Sequence, residues 1–320
     1  MRETVLKQEY SIEMANKKPN CSWWTLATKT YNEWAEDRAL RFSAALAYYA
    51  VFSITPLLII AIAVAGFVFG EQAARGEILQ QLGNLLGEKA AAEIQRLIQA
   101  ASNKPKSALA TAIGLVTLIV GASGVFGQLK DALNTIWGVR IKPGAAISDF
   151  IRDYLVSFGM VLAVGFLLIV SLVVTTAVQA VTHYMAGVMP MSALTAPVTE
   201  LGSFALMSLL FAVIYKVLPD VQLQWHDVWT GAIVTGILFT LGKYLIGLYL
   251  ATSSVASSFG AAGALILVLV WIYYSTVIFF FGAEFTKVYS RECGRGVKPS
   301  KHATFASREM QVEQGVEKTR

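Results

Sequence analysis

Long uncharged stretches alternate with charged segments along this chain of 320 residues. Residues 244–283 form a run of forty without Asp, Glu, Lys or Arg, and its middle, at residues 252–260, is rich in serine. A hydrocarbon core about 30 Å thick needs roughly 20 apolar residues per crossing helix, so this run holds two crossings joined by a turn. The whole pattern predicts six membrane helices, at residues 42–70, 108–129, 154–182, 198–218, 228–250 and 260–284.

Two amphipathic segments lie between the predicted crossings. In residues 71–106 the apolar positions fall near helical spacing, which suits a helix that lies in the membrane interface, covers a cavity or packs on the ends of the bundle. Residues 128–140 predict a second such helix, with Trp137 as an anchor at the level of the lipid headgroups. The predicted fold is therefore an all-α polytopic membrane protein of six transmembrane helices, with an amphipathic periplasmic segment and an interfacial cytoplasmic helix.

Charge supports this fold and gives it an orientation. Charged residues make up 15% of the chain, against about 25% in a typical soluble protein. The net charge of +5 is explained by where the basic residues lie. Twenty of the 26 Lys and Arg fall before the first crossing, in the second and fourth connections, or after the last crossing. Since basic residues accumulate on the cytoplasmic side, both termini are predicted to be cytoplasmic.

The same reading divides the chain into three parts. Residues 1–41 form a cytoplasmic N-terminal segment, residues 42–290 the transmembrane domain, and residues 291–320 a cytoplasmic tail. The tail is expected to be disordered, because it is polar and has no apolar period beyond Arg295. Cys21 and Cys293 both fall on the cytoplasmic side, so no disulfide is expected between them.

Lys243 is an ionisable residue inside the fifth predicted helix. Small and polar residues share its helical face: Gly236, Thr240 and Gly247. A charge in a membrane helix is usually paired or exposed to water, and a stripe of small residues favours the bundle interior. The alternative is a side chain that reaches outward to the interface. The candidate partners are Glu200 and Glu71, near the predicted outer ends of other helices.

Three further residues are candidate functional positions. Pro56 interrupts the first predicted helix, either as a break beside a binding cavity or as a static kink. Asn134 lies near the apolar face of the interfacial helix, which predicts a hydrogen bond to the bundle. Glu284 ends the last helix and can pair locally with Lys287 at i, i+3 spacing.

Signatures of enzymes are mostly missing from the sequence. The three histidines lie in different segments, and there is neither a phosphate-binding glycine loop nor a Gly-x-Ser-x-Gly motif. His226, Asp220 and Asp227 form a small cluster that suits a solvated turn ahead of the fifth helix. We therefore expect no catalytic, cofactor-binding or metal site, and a protein that is not an enzyme.

Three motifs resemble those of the YihY/virulence factor BrkB family of bacterial inner-membrane proteins. They are FSAALAYYAVFSITPLL at residues 42–58, ALNTIW at residues 132–137, and WIYYS at residues 271–275 followed by GAE at residues 282–284. The likeness covers about residues 30–290, with Phe259 at a position where the family more often has tyrosine. The resemblance implies six helices, cytoplasmic termini and a bacterial inner-membrane location, and it implies no settled activity.

Three functions are consistent with this sequence to different degrees. The first, associated with the family, is transport or handling of membrane lipid or of a lipid-linked small molecule, with membrane lipids as partners. The second is a non-transporting component of an envelope assembly. The third, a ribonuclease, is disfavoured because no metal ligands converge and no nucleic-acid-binding pattern is visible. The oligomeric state is left open by the sequence.

Overall fold

A computed structural model describes residues 22–51, 124–142, 192–252, 263–294 and 296–306, together with isolated positions between 62 and 99. The elements in chain order are α1 (Trp23–Glu36), α2 (Ala39–Val51), α3 (residues 124–136), β1 (Val139–Ile141), α4 (Ser192–Val217), β2 (Val221–Gln222), α5 (Trp225–Thr252), α6 (Gly263–Glu292), β3 (Lys298–Pro299) and β4 (Ala303–Phe305). The fold is mainly helical, as predicted.

Three helices of the described part are long and apolar enough to cross a membrane, over Glu200–Val217, Trp225–Tyr249 and Val268–Glu292. They correspond to the last three predicted crossings. Helix α2 coincides with the start of the first crossing, and Gly70, with a φ of 86°, stands where that crossing was predicted to end. The predicted helix at residues 154–182 and most of that at residues 108–129 lie outside the described residues, so the count of six stays a prediction.

Helix α5 lies between α4 and α6 and packs against both. The core where they meet is aromatic: the Tyr215 hydroxyl donates a hydrogen bond of 2.7 Å to the Phe279 carbonyl, and the two rings are 5.0 Å apart. Helices α5 and α6 approach closely because each presents glycine to the other. Gly231 faces Thr286, and Gly282 faces Thr235. Small residues allow this approach in membrane bundles.

Two short antiparallel ribbons close one end of the bundle. Strand β1, after α3, pairs with β4, and strand β2, after α4, pairs with β3. The expectation of a disordered tail is therefore wrong for residues 296–306, where Val297 and Ala303 are buried. The tail is ordered because it fills the edge positions that β1 and β2 would otherwise leave open. The rest of the predicted tail lies outside the described residues.

The prediction of an interfacial helix at residues 128–140 is corrected in two respects, because the helix ends at residue 136, before β1, and Trp137 is buried. Helix α3 runs unbroken through Leu129, and Trp137, expected at the headgroup level, is 4% exposed within the core cluster. Trp137 is covered because the chain turns at Gly138 (φ 61°) into β1, which the tail then pairs.

The N-terminal segment also holds a helix that sequence analysis did not predict. Helix α1 packs against α6, with Leu26 and Thr30 buried and the Trp23 ring stacked 6.1 Å from that of Phe285. Cys293, at the end of α6, is disulfide-bonded, contrary to expectation; Cys21 lies outside the described residues.

In the predicted external segment, the described positions between 71 and 99 are helical. Ile98 is buried, whereas Arg96 and Gln99 are exposed. These positions agree with the predicted amphipathic pattern.

Candidate functional site

Lys243 pairs with Glu200, one of the two partners that the sequence suggested. The Lys243 ammonium nitrogen lies 3.7 Å from a Glu200 carboxylate oxygen and 5.1 Å from the centre of the Tyr244 ring. The Lys243 side chain is 22% exposed and that of Glu200 is 54% exposed. The pair joins α4 to α5 and stays open to the surroundings, so a charged ligand can reach both of its members.

The stripe around Lys243 faces the bundle for part of its length. A methyl group on Gly236 would meet the Ser208 hydroxyl at 2.5 Å, so this glycine is needed where α5 crosses α4. The Thr240 hydroxyl donates to the Gly236 carbonyl at 2.8 Å, within the same helix. Gly247 departs from the prediction, because it is exposed and no atom of the described residues would contact a methyl group placed there.

Phe239 and Ile246 lie on another face of α5, and each is 7% exposed. Two faces of α5 are buried because the helix packs between α4 and α6. Beyond Lys243 the exposed side chains are large and apolar: Tyr244, Leu245, Leu248 and Tyr249. The charged pair is thus flanked by an apolar surface.

Asn134 makes the bonded contact that its position predicted. Its amide nitrogen donates to an Asp220 carboxylate oxygen at 2.9 Å, and its amide oxygen accepts from the Asp220 backbone nitrogen at 2.8 Å. Lys130 lies 3.0 Å from the same carboxylate oxygen, and the Asp220 carbonyl accepts from the Ser300 nitrogen at 2.9 Å. Asp220 therefore ties α3, the end of α4 and the tail together.

Glu284 forms the predicted local pair with Lys287 at 2.9 Å, but the pair belongs to a larger network. The Lys287 ammonium also lies 2.9 Å from Asp37 and 2.9 Å from Glu33, which α1 and the following turn supply. Arg291 reaches both oxygens of Glu33 at 3.1 Å. Burial raises the pKa of the Glu33 carboxyl, but Lys287 and Arg291 outweigh this and hold that pKa below its ordinary value. These ion pairs thus hold α1 against α6.

The cluster ahead of α5 is not a solvated turn. Asp220 and Asp227 are buried, and His226 alone of the three is exposed. The Ser290 hydroxyl donates to Asp227 at 2.8 Å, which links the start of α5 to the end of α6. At this end of the bundle, the Asp220 and Asp227 carboxylates bind side chains from other segments and so hold those segments together.

Pro56 lies outside the described residues, so its role stays a prediction. Among the described residues, no three His, Cys, Asp or Glu side chains form a group that could hold a metal ion. The charged groups of the site are therefore Lys243 with Glu200, and at the other end the networks around Glu284 and Asp220.

Long apolar helices that pack on one another define an integral membrane protein. The family model of Virulence factor BrkB matches residues 30–306, and the chain belongs to that family. The match ends one residue after β4. No solved structure matches the chain.

Several curated relatives carry the name UPF0761 membrane protein. Those of Ralstonia nicotianae and Tolumonas auensis are each 28% identical over 78% of this chain, and that of Photobacterium profundum is 27% identical over 83%. The aligned part covers 55% of the Ralstonia protein, 80% of the Tolumonas protein and 82% of the Photobacterium protein. The chain thus spans little more than half of the first relative's length.

Proposed function

We propose that this chain is a multi-pass protein of the bacterial inner membrane that moves or handles lipid, or a lipid-linked molecule with an anionic headgroup. The observation that carries the proposal is the accessible Lys243–Glu200 pair beside an apolar surface. An ammonium group binds phosphate or carboxylate through charge-assisted hydrogen bonds.

The depth of the pair in the membrane fits a headgroup. Lys243 follows Trp225, the start of α5, by 18 residues, and at 1.5 Å per residue this places it about 27 Å along the helix. Tyr249 ends the apolar window about 9 Å further on. Lys243 thus lies near one boundary of a core about 30 Å thick, within reach of a headgroup.

The surroundings of Lys243 fit the rest of an amphipathic molecule. Leu241, Leu245 and Leu248 are exposed on the helix that carries the lysine. Acyl chains can lie against these side chains while an anionic headgroup replaces Glu200 at Lys243. A zwitterionic headgroup can bind both members of the pair.

The orientation that we propose has both termini in the cytoplasm. The folded tail pairs with the connections after α3 and α4, and α1 binds the end of α6, so four basic segments share one end of the bundle. This supports the positive-inside reading. Lys243 then belongs to the periplasmic half.

Lipid exchange between vesicle leaflets tests the proposal. Purified protein is placed in phospholipid vesicles that carry a fluorescent lipid, and an impermeant quencher reports the lipid reaching the outer leaflet. We expect faster exchange than in empty vesicles, and a reduction of about tenfold, or about 1.4 kcal/mol, for Lys243→Met. The matched control is Lys142→Met, an exposed lysine beside β1. Exchange at the rate of empty vesicles, or Lys243→Met as fast as the unmodified protein, would overturn the proposal.

A non-transporting envelope component is the second candidate, and the closed end of the bundle favours it. Asn134 and Glu284 are both buried in networks that join several segments at that end. A structural role predicts no lipid exchange, together with an envelope defect in cells that lack the protein.

We keep the ribonuclease as the disfavoured third candidate and propose that the protein is not an enzyme. Cleavage of RNA by the pure protein supplied with divalent metal would contradict this. Exchange between leaflets needs no energy source, whereas net uphill transport would need a gradient or a partner, because the sequence shows no ATP-binding motif.

A further inference from the structure

Glu284 is a carboxyl group with no exposure to solvent and with one oxygen unpaired. Its Oε2 lies 2.9 Å from the Lys287 ammonium, whereas its Oε1 is buried and receives no hydrogen bond. A buried anionic oxygen without a donor is strongly unfavourable. The arrangement therefore calls for a ligand at Oε1.

The candidate partner for this oxygen is another carboxyl group, that of Asp37. The Asp37 and Glu284 carboxyl groups each lie 2.9 Å from the Lys287 ammonium, so they are neighbours around one cation. Two carboxylates cannot hydrogen-bond each other, because neither has a proton to donate. A proton on Glu284 would satisfy Oε1 and donate to Asp37, as when two acids share one proton.

The number of charged groups around Glu284 also favours a bound proton. Three carboxyl groups, those of Glu33, Asp37 and Glu284, surround two cations, Lys287 and Arg291. With every group ionised the network carries one excess negative charge, and one of its carboxyl groups, that of Glu284, has no exposure to solvent. One bound proton makes it neutral.

Other charged groups lie on the adjoining elements, and Glu292 of α6 is close enough to act on the Glu33 carboxyl. Lys29 of α1 lies 3.0 Å from Glu292 of α6, which forms a neutral pair. From α5, Asp227 is bound by Ser290, and His226 lies beside Asp227 and is exposed. The tyrosine of α4 at this level, Tyr215, bonds the Phe279 carbonyl.

We propose that Glu284 is a proton-binding site, which holds a proton at neutral pH and shares it with Asp37. The Asp37 side chain is 14% exposed and gives the proton its path to solvent. Because Asp37 and Glu33 belong to the N-terminal region and Glu284 to α6, loss of the proton adds repulsion between α1 and α6. The inference goes beyond the proposed function and does not depend on it.

Infrared difference spectroscopy of the full chain in lipid nanodiscs tests the site directly. A protonated carboxyl has a carbonyl stretch that a carboxylate lacks. We expect this band at neutral pH, its loss in alkali, and its absence in Glu284→Gln. The matched control is Glu36→Gln, an exposed acid of α1, which should leave the band unchanged.

Thermal unfolding at neutral pH gives a second readout. An amide replaces a neutral carboxyl with little change, so Glu284→Gln should unfold within about 2 °C of the unmodified protein. If Glu284 were ionised, the same change would remove a buried charge from Lys287 and lower stability strongly. A strong loss, or a band that is absent at neutral pH or persists in Glu284→Gln, would overturn the proposal.

A second variant keeps the test decisive if Glu284→Gln fails to fold. Asp37→Asn removes the neighbouring negative charge, so Glu284 should lose its proton at lower pH, by roughly one pH unit. A band whose loss does not move would show that the proton belongs elsewhere.

Discussion

At the scale of the residue, Asn134 shows how one side chain joins three segments. Replacing it with alanine removes both bonds to Asp220 and leaves the Asp220 backbone nitrogen buried without an acceptor. An unsatisfied buried group costs about 2 kcal/mol. We therefore expect Asn134→Ala to lower the temperature of thermal unfolding in detergent by several degrees.

The control for this prediction is Thr135→Ala, on the same helix and half-buried. It should unfold close to the unmodified protein. Asn134→Asp should be worse than Asn134→Ala, since it sets a carboxylate against that of Asp220. If all three variants had the same stability, the two bonds would contribute nothing.

Single residues could be predicted where the local sequence pattern set them apart from their neighbours. Lys243 was visible as a charge inside an apolar run, and Asn134 as a polar side chain beside an apolar face. Glu33, Asp37 and Asp227 carried no such signal, because each lies in a polar stretch. Their partners are more than 60 positions away, and a distant pairing of charges has no local signature.

At the scale of the element, the approach of α5 to α6 depends on glycine. A methyl group on Gly282 would overlap the Thr235 hydroxyl and lie 2.7 Å from that of Tyr215. Overpacking of this kind costs about 1–3 kcal/mol. We expect Gly282→Ala to reduce thermal stability clearly, with the two helices pushed apart.

Gly247→Ala is the matched control, because nothing lies within 4 Å of the added methyl group. Alanine favours the helix by up to about 1 kcal/mol over glycine, so this variant should be unchanged or slightly more stable. Equal losses in Gly247→Ala and Gly282→Ala would show that close packing is not the cause.

The docking of α1 on α6 should depend on pH through Glu33. Its pKa is lowered in the folded protein, so its ion pairs contribute stability above the ordinary value of 4.5, and this is lost as the pH falls further. We expect α1 to become open to protease below about pH 4.5 and to stay protected at pH 7. In Glu33→Gln, protection at pH 7 should already be weaker, and the dependence on acid should be reduced.

Helices were predictable in proportion to their apolar length. The crossings that became α4, α5 and α6 were located correctly, although α4 begins six residues earlier and α6 ends eight residues later than predicted. Helix α1 was missed because Leu26 and Thr30 are its buried positions, and Trp23 and Trp24 are exposed. Trp137 was misplaced because the strand that follows it pairs with a segment more than 150 positions away, a pairing with no local signal in the sequence.

At the scale of the whole molecule, several segments that are distant in sequence are joined to one another at one end of the described bundle. The N-terminal helix, the connections after α3 and α4, and the tail all meet where α6 ends. Lys243 and Glu200 pair near the far ends of α5 and α4.

The tail should be part of the folded unit, which truncation can test. A chain that stops after Ala306 keeps both ribbons and the bond from the Ala306 nitrogen to the Gly138 carbonyl. A chain that stops after Gly294 loses β3 and β4, leaves Asp220 without Ser300, and removes the buried Val297. Burial of one such side chain contributes about 1.5–3 kcal/mol. We therefore expect the shorter chain to unfold at a clearly lower temperature, with Trp137 more open to quenching, whereas the longer one should match the full chain. Equal stability of the two truncated chains would mean that the two ribbons do not stabilise the helical bundle.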